Sequence, residues 1–113
     1  MKLLFFVLNK TEKLDDILTA FVNNNIKGAT VIDSIGMARL LSSKHDDDEI
    51  SFLSSLRAFL NPEREKSNII LTVIQDSQLE TAVSAIESVV GDLSKKDTGV
   101  VFSVPVDFAK GLS

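Results

Sequence analysis

His45 is the only imidazole in the chain, and it stands directly before Asp46, Asp47, Asp48 and Glu49. Imidazole and carboxylate groups ligate metals or move protons when the fold makes them converge. Consecutive residues in a polar stretch form no such cage. The run therefore reads as a solvated loop that repels some partners and attracts basic ones. Asp15 and Asp16 are neighbours in a helical pattern and point in different directions, which excludes paired acid and base work. There is no cysteine, so disulfides, thiolate metal sites and Cys nucleophiles are excluded. A His-based triad would have to form in the loop that carries His45. The residue types thus predict a binding protein and not an enzyme, with no metal centre.

The remaining chemistry lies in Gly91-Asp92-Leu93-Ser94-Lys95-Lys96-Asp97-Thr98-Gly99. Two glycines, hydroxyls and two lysines make this the best local phosphate candidate, because backbone amides in such turns form anion nests. The competing reading is an ordinary helix-to-strand loop in which Gly91 stops the helix.

The elements that would position these groups are legible in the hydrophobic spacing. Leu3 to Leu8 is a continuous apolar run suited to a strand buried on both faces. Thr11 is expected to cap a helix whose stripe is Leu14, Ile17, Leu18, Phe21 and Val22. Asn23-Asn24-Asn25 stops it, since Asn tolerates the left-handed conformation that helix ends require. Gly28 to Ile32 reads as a second strand and Ile69 to Ile74 as a third. Ser77-Gln78-Leu79-Glu80 matches a capping box, followed by the stripe Leu79, Ala82, Val83, Ile86, Val89 and Val90. Thr98 to Val106 reads as the last strand, with Pro105 near its end. Leu14, Ile17, Leu18 and Phe21 correspond to Leu79, Ala82, Val83 and Ile86 at one constant offset. Two βαβ units of this kind predict a ferredoxin-like α+β domain, βαββαβ, with a four-stranded antiparallel sheet and both helices on one face.

That architecture leaves the second face of the sheet bare. A solvated face would alternate apolar and polar residues, whereas Leu3 to Leu8 and Val100 to Phe102 are apolar on both sides. Another subunit or layer is therefore expected to cover it.

Between the halves lies a long insertion, Gly36 to Lys66, between the second and third strands. Its first part, Ser42 to Glu49, is polar. Its second carries the helical stripe Phe52, Leu53, Leu56, Phe59 and Leu60, ended by Asn61-Pro62. This predicts a loop followed by an amphipathic helix. The helix either packs on its own domain or docks a partner through Phe52, Leu56 and Phe59.

The chain has 113 residues and a net charge of −4. The length suits one domain spanning 1–113. The acidic balance and scattered basic residues argue against nucleic acid. The apolar start lacks the features of a signal peptide and is too short to cross a bilayer, so no membrane insertion is expected. The absence of cysteine fits a cytoplasmic location.

In order and spacing, several segments resemble the nitrogen-regulatory PII signal transduction proteins over nearly the whole length. They are Lys13-Leu14-Asp15-Asp16-Ile17, Ile26-Lys27-Gly28-Ala29-Thr30-Val31, Gly36-Met37-Ala38-Arg39, Asp76-Ser77-Gln78-Leu79 and Phe102-Ser103-Val104-Pro105-Val106-Asp107. The resemblance implies a homotrimer with ATP or ADP in clefts between subunits and a long loop that docks on a regulated protein. It places Arg39 at a nucleotide-contacting arginine and Gly99 at the last glycine of the phosphate-binding turn. Gly36, Arg39, Lys66, Thr98 and Gly99 are the residues expected to line the cleft. The family's turn reads Gly-Asp-Gly-Lys; here it is Asp97-Thr98-Gly99-Val100, with Val100 in place of the phosphate-binding lysine. That departure leaves room for a different small effector. The alternative is an oligomeric interaction module, or an ACT-like small-molecule-binding domain without nucleotide.

Overall fold

The computed structural model describes residues 1–37, 66–96 and 98–112. Among these, β1 (Lys2–Leu8) leads through a 3-10 turn (Thr11–Lys13) into α1 (Leu14–Asn23) and then β2 (Thr30–Ser34). After the inserted segment come β3 (Ser67–Ile74), a second 3-10 turn (Asp76–Gln78), α2 (Leu79–Val90) and β4 (Val100–Pro105). The four strands form one antiparallel sheet in the order β2-β3-β1-β4. The central pair, β1 and β3, carries the continuous apolar runs, as strands with a neighbour on each side should.

Period-two alternation sends Leu4, Phe6 and Leu8 of β1 to one face, beside Ile70 and Ile74 of β3. Against them pack Ile17 and Phe21 of α1 and Ala82, Ala85, Ile86 and Val90 of α2. Phe6, Leu8, Ile17 and Ile86 are 0% exposed. Fully burying side chains of this size contributes about 1.5–3 kcal/mol each, so this layer is where the domain's stability resides.

α1 ends in a Schellman motif. Asn25 adopts φ +64°, its N–H donates to Val22 O at 3.1 Å, and Ile26 N–H donates to Phe21 O at 2.8 Å. Ile26 and Phe21 are both buried in the core, which supplies the apolar contact that accompanies this motif. The expected caps at the other helix ends are corrected by the structure. Thr11 opens the 3-10 turn and makes no side-chain cap bond. The reciprocal capping pair is Gln75 and Gln78, not Ser77 and Glu80: Gln75 N–H donates to Gln78 Oε1 at 2.8 Å. In both places a 3-10 turn precedes the α-helix; at the second it moves the cap upstream of the expected residue, and at the first no side-chain cap forms.

The opposite face of the sheet has no cover among the described residues. Cross-strand register lines up three apolar rows on it: Val104, Leu3 and Val73; Phe102, Phe5 and Leu71; Val100, Val7, Ile69 and Ile32. Phe5 and Phe102 stack with ring centroids 4.6 Å apart. Ile32, Val100, Phe102 and Val104 are 41–57% exposed.

Candidate functional site

Four of the five residues expected at a ligand cleft are described. Gly36 follows β2 and Lys66 precedes β3, and both are exposed. They flank the last rung of the β2-β3 ladder, where Ser34 pairs with Ser67. The two hydroxyls lie 2.7 Å apart, and Ser34 Oγ also donates to Ser67 O at 3.2 Å. One rung inward, Asn68 Nδ2 donates to Asp33 Oδ1 at 3.0 Å. These bonds tie together the two strand ends from which the insertion departs.

Thr98 and Gly99 precede β4. Thr98 is buried, with Oγ1 donating to Lys96 O at 3.4 Å. Gly99 has φ +134°, and a Cβ there would come within 2.7 Å of Val7 O and 2.9 Å of the Phe6 ring. Contact with β1 is therefore sufficient reason for this glycine, apart from any ligand.

All four residues sit at the same end of the sheet, but Gly36 follows the β2 edge and Lys66 leads into β3, whereas Thr98 and Gly99 lead into the opposite edge, β4. Three strand spacings put the edges about 14 Å apart. One chain brings Gly36 to Lys66 and Thr98 to Gly99 but does not bring the two pairs together. Arg39, Phe52, Leu56, Phe59 and His45 lie outside the described residues.

The phosphate candidate Gly91–Gly99 is built differently from an open nest. Gly91 takes φ +91° and its N–H donates to Glu87 O at 3.0 Å, ending α2. Leu93 N–H donates to Glu87 Oε2 at 3.0 Å, and Ser94 N–H donates to Asp92 Oδ1 at 2.9 Å. Ser94 Oγ donates to the same oxygen at 2.7 Å. The Ser94 hydroxyl, and then its amide, hold the Asp92 carboxyl below its ordinary range. Carboxylates of the chain itself thus occupy amide donors that a phosphate would need.

A groove of about 580 Å3 lies elsewhere, at the opposite end of β3. β2 starts at Thr30, paired with Leu71, so Thr72 to Ile74 have no partner in β2. Residues 25–30, the β3 residues 71–74, and Leu3, Gln78, Gly111 and Leu112 line it. Thr72 Oγ1 donates to Gly28 O and holds the wall in place. The lining is divided about evenly between polar and apolar surface, with Asn25, Thr30, Thr72 and Gln78 as hydrogen-bonding groups and Lys27 as its single charged residue. Sequence reasoning missed this groove. Its signal was Thr72, the one polar residue inside the apolar run Ile69 to Ile74.

No group of three or more His, Cys, Asp or Glu side chains that could hold a metal occurs among the described residues. No helix among them is long and apolar enough to cross a membrane. Comparison with protein-family models finds none that matches the chain, and comparison with curated proteins finds no match.

Proposed function

We propose that this chain is a PII-like regulatory protein of ferredoxin-like fold, a homotrimeric sensor that binds a small effector between subunits and signals to a protein partner. The observation that carries the reading is the bare sheet face with its three apolar rows. An exposed apolar surface of this extent marks an interaction site. Copies of the chain are the occupant that buries the same face on every subunit.

Two further observations support it. The strand order β2-β3-β1-β4 and the two helices packed together fit a ferredoxin-like arrangement. The expected cleft residues divide between the two sheet edges, so a complete cleft needs the β2 edge of one subunit beside the β4 edge of another. Arg39 and Lys66 would supply its charge, and the segment from Gly36 to Lys66, with Phe52, Leu56 and Phe59, would carry the signal to the partner. Nothing in this scheme requires a catalytic group.

The groove beside Thr72, with its single charge, favours a second reading: an oligomeric ACT-like module that binds a small molecule and no nucleotide. Static light scattering tests what the two readings share, and nucleotide calorimetry separates them. At micromolar concentration the sensor reading expects three times the 12.3 kDa chain mass. A single chain mass contradicts it.

A further inference from the structure

We infer that Lys10 is a further effector-binding residue, and that the effector is a compact, multiply charged anion held by Lys10, Lys66 and Lys96. The inference rests on the sensor reading and supplies a cation to replace the lysine absent at Val100.

β1 lies between β3 and β4, so the residues leaving β1 stand between the two separated parts of the cleft. The β1-β3 ladder ends with Leu8 opposite Asn68, and the same register carried on to residue 10 sets Lys10 opposite Lys66. The β1-β4 ladder ends with Val7 opposite Val100, and its register carried on sets Lys10 opposite residue 97, next to Lys96. Directly opposed residues of antiparallel strands are about 4.5–5.5 Å apart at Cα. The chain turns at Lys10 itself, with φ −85° and ψ 78° and Thr11 N–H donating to Asn9 O at 3.1 Å. This inverse γ-turn at a strand end keeps Lys10 at the mouth of the sheet, half-buried, beside the exposed Lys66 and Lys96.

Like charges opposite one another on neighbouring strands are destabilising. The chain has carboxylates to spare, with a net charge of −4, yet those at this end are engaged elsewhere. Asp33 accepts from Asn68 Nδ2, Glu87 from Leu93 N–H and Asp92 from Ser94 N–H. Glu12, Asp15 and Asp16 stand on the helix layer, in the 3-10 turn and the first turn of α1, and Asp97 lies outside the described residues. Among the described residues the one ion pair joins the Met1 amine to Asp76 at 3.1 Å, at the opposite end of the sheet. A bound anion relieves the repulsion in this row, and charge-assisted bonds from ammonium groups are the strong ones. Side chains do the holding, since the Leu93 and Ser94 amides already have acceptors. Lysine binds phosphate as a point charge, so the row selects for charge density and not for a base.

The test is isothermal calorimetry on the full chain with tripolyphosphate, ATP and inorganic phosphate as probes, repeated on Lys10→Met, Lys66→Met and Lys110→Met. Lys110 is exposed beyond β4, at the opposite end of the sheet, so its variant controls for net charge; unchanged circular dichroism confirms each fold. The expected result is saturable tripolyphosphate binding, weakened by added salt. ATP should match it within about tenfold, and inorganic phosphate should bind about tenfold more weakly, since one charge-assisted hydrogen bond is worth about that much. Lys10→Met and Lys66→Met should each weaken tripolyphosphate binding by about the same factor, while Lys110→Met leaves it unchanged. Absence of tripolyphosphate binding, binding of ATP alone, inorganic phosphate that binds as tightly as tripolyphosphate, a Lys10→Met variant that binds like the wild type, or an equal loss in Lys110→Met would each overturn the inference. Light scattering of the same samples keeps the two claims apart. A lone chain that binds tripolyphosphate through Lys10 removes the trimer and keeps the site; a trimer that binds none keeps the assembly and loses the site.

Discussion

The two faces of the sheet are built from nearly the same residue types and end in opposite surroundings. On one face Phe6 and its neighbours are sealed under α1 and α2; on the other, Phe5 stacks on Phe102 and the rows around them meet no other element among the described residues. The difference teaches that the apolar content of a strand is set by both of its faces, while one chain's helices can cover only one. The covered face makes the domain fold. On the proposed reading, the open face is where copies of the chain meet.

Substitutions on the two faces sharpen that contrast, and Phe6→Ala should have the largest effect. Removing a fully buried ring costs about 3–5 kcal/mol, read as a lower urea midpoint at any protein concentration. Phe102→Asp should leave the dilute chain folded but reduce the assembled mass to a single chain, because the charge enters a shared apolar face. If Phe102→Asp unfolds the dilute chain as severely as Phe6→Ala does, the two faces are not distinct in role. Thr72→Val removes the hydroxyl that braces Gly28 and should cost about 1–2 kcal/mol, with faster hydrogen exchange confined to the neighbourhood of residues 26–30.

The smallest effect concerns Asp92. Its folded pKa is depressed by Ser94, so its contribution to stability is present above the unfolded carboxylate pKa and is lost as pH falls through the lower folded value. Ser94→Ala should move the Asp92 pKa up toward the ordinary carboxylate range, measured by NMR titration, and weaken this acid-side dependence. An unmoved pKa would show that the Ser94 bonds are not its cause.

The strand and helix pattern was legible because it rests on periodicity, and periodicity follows from burial. Leu14, Ile17 and Phe21, repeated as Leu79, Ala82 and Ile86, marked both helices; Asn25 marked the left-handed stop. What could not be read depended on which of several local acceptors a backbone N–H chooses. Gln75 and Gln78 took the capping role expected of Ser77 and Glu80. Glu87 and Asp92 took the amides that a phosphate in this turn would need. The groove escaped notice because it is made by an absence of pairing: β2 begins at Thr30 and not at Gly28, which frees the β3 edge. Of the expected cleft residues, Gly99 shows the limit of reading function from type, since its contact with β1 already requires glycine.

Sedimentation equilibrium of the wild-type chain and Phe102→Asp, run side by side at micromolar concentration, tests most directly whether the open face is shared. The account predicts three chain masses for the wild type and one for the variant, with equal helical signal in both. A wild-type chain that sediments alone, its apolar rows facing water, would contradict it.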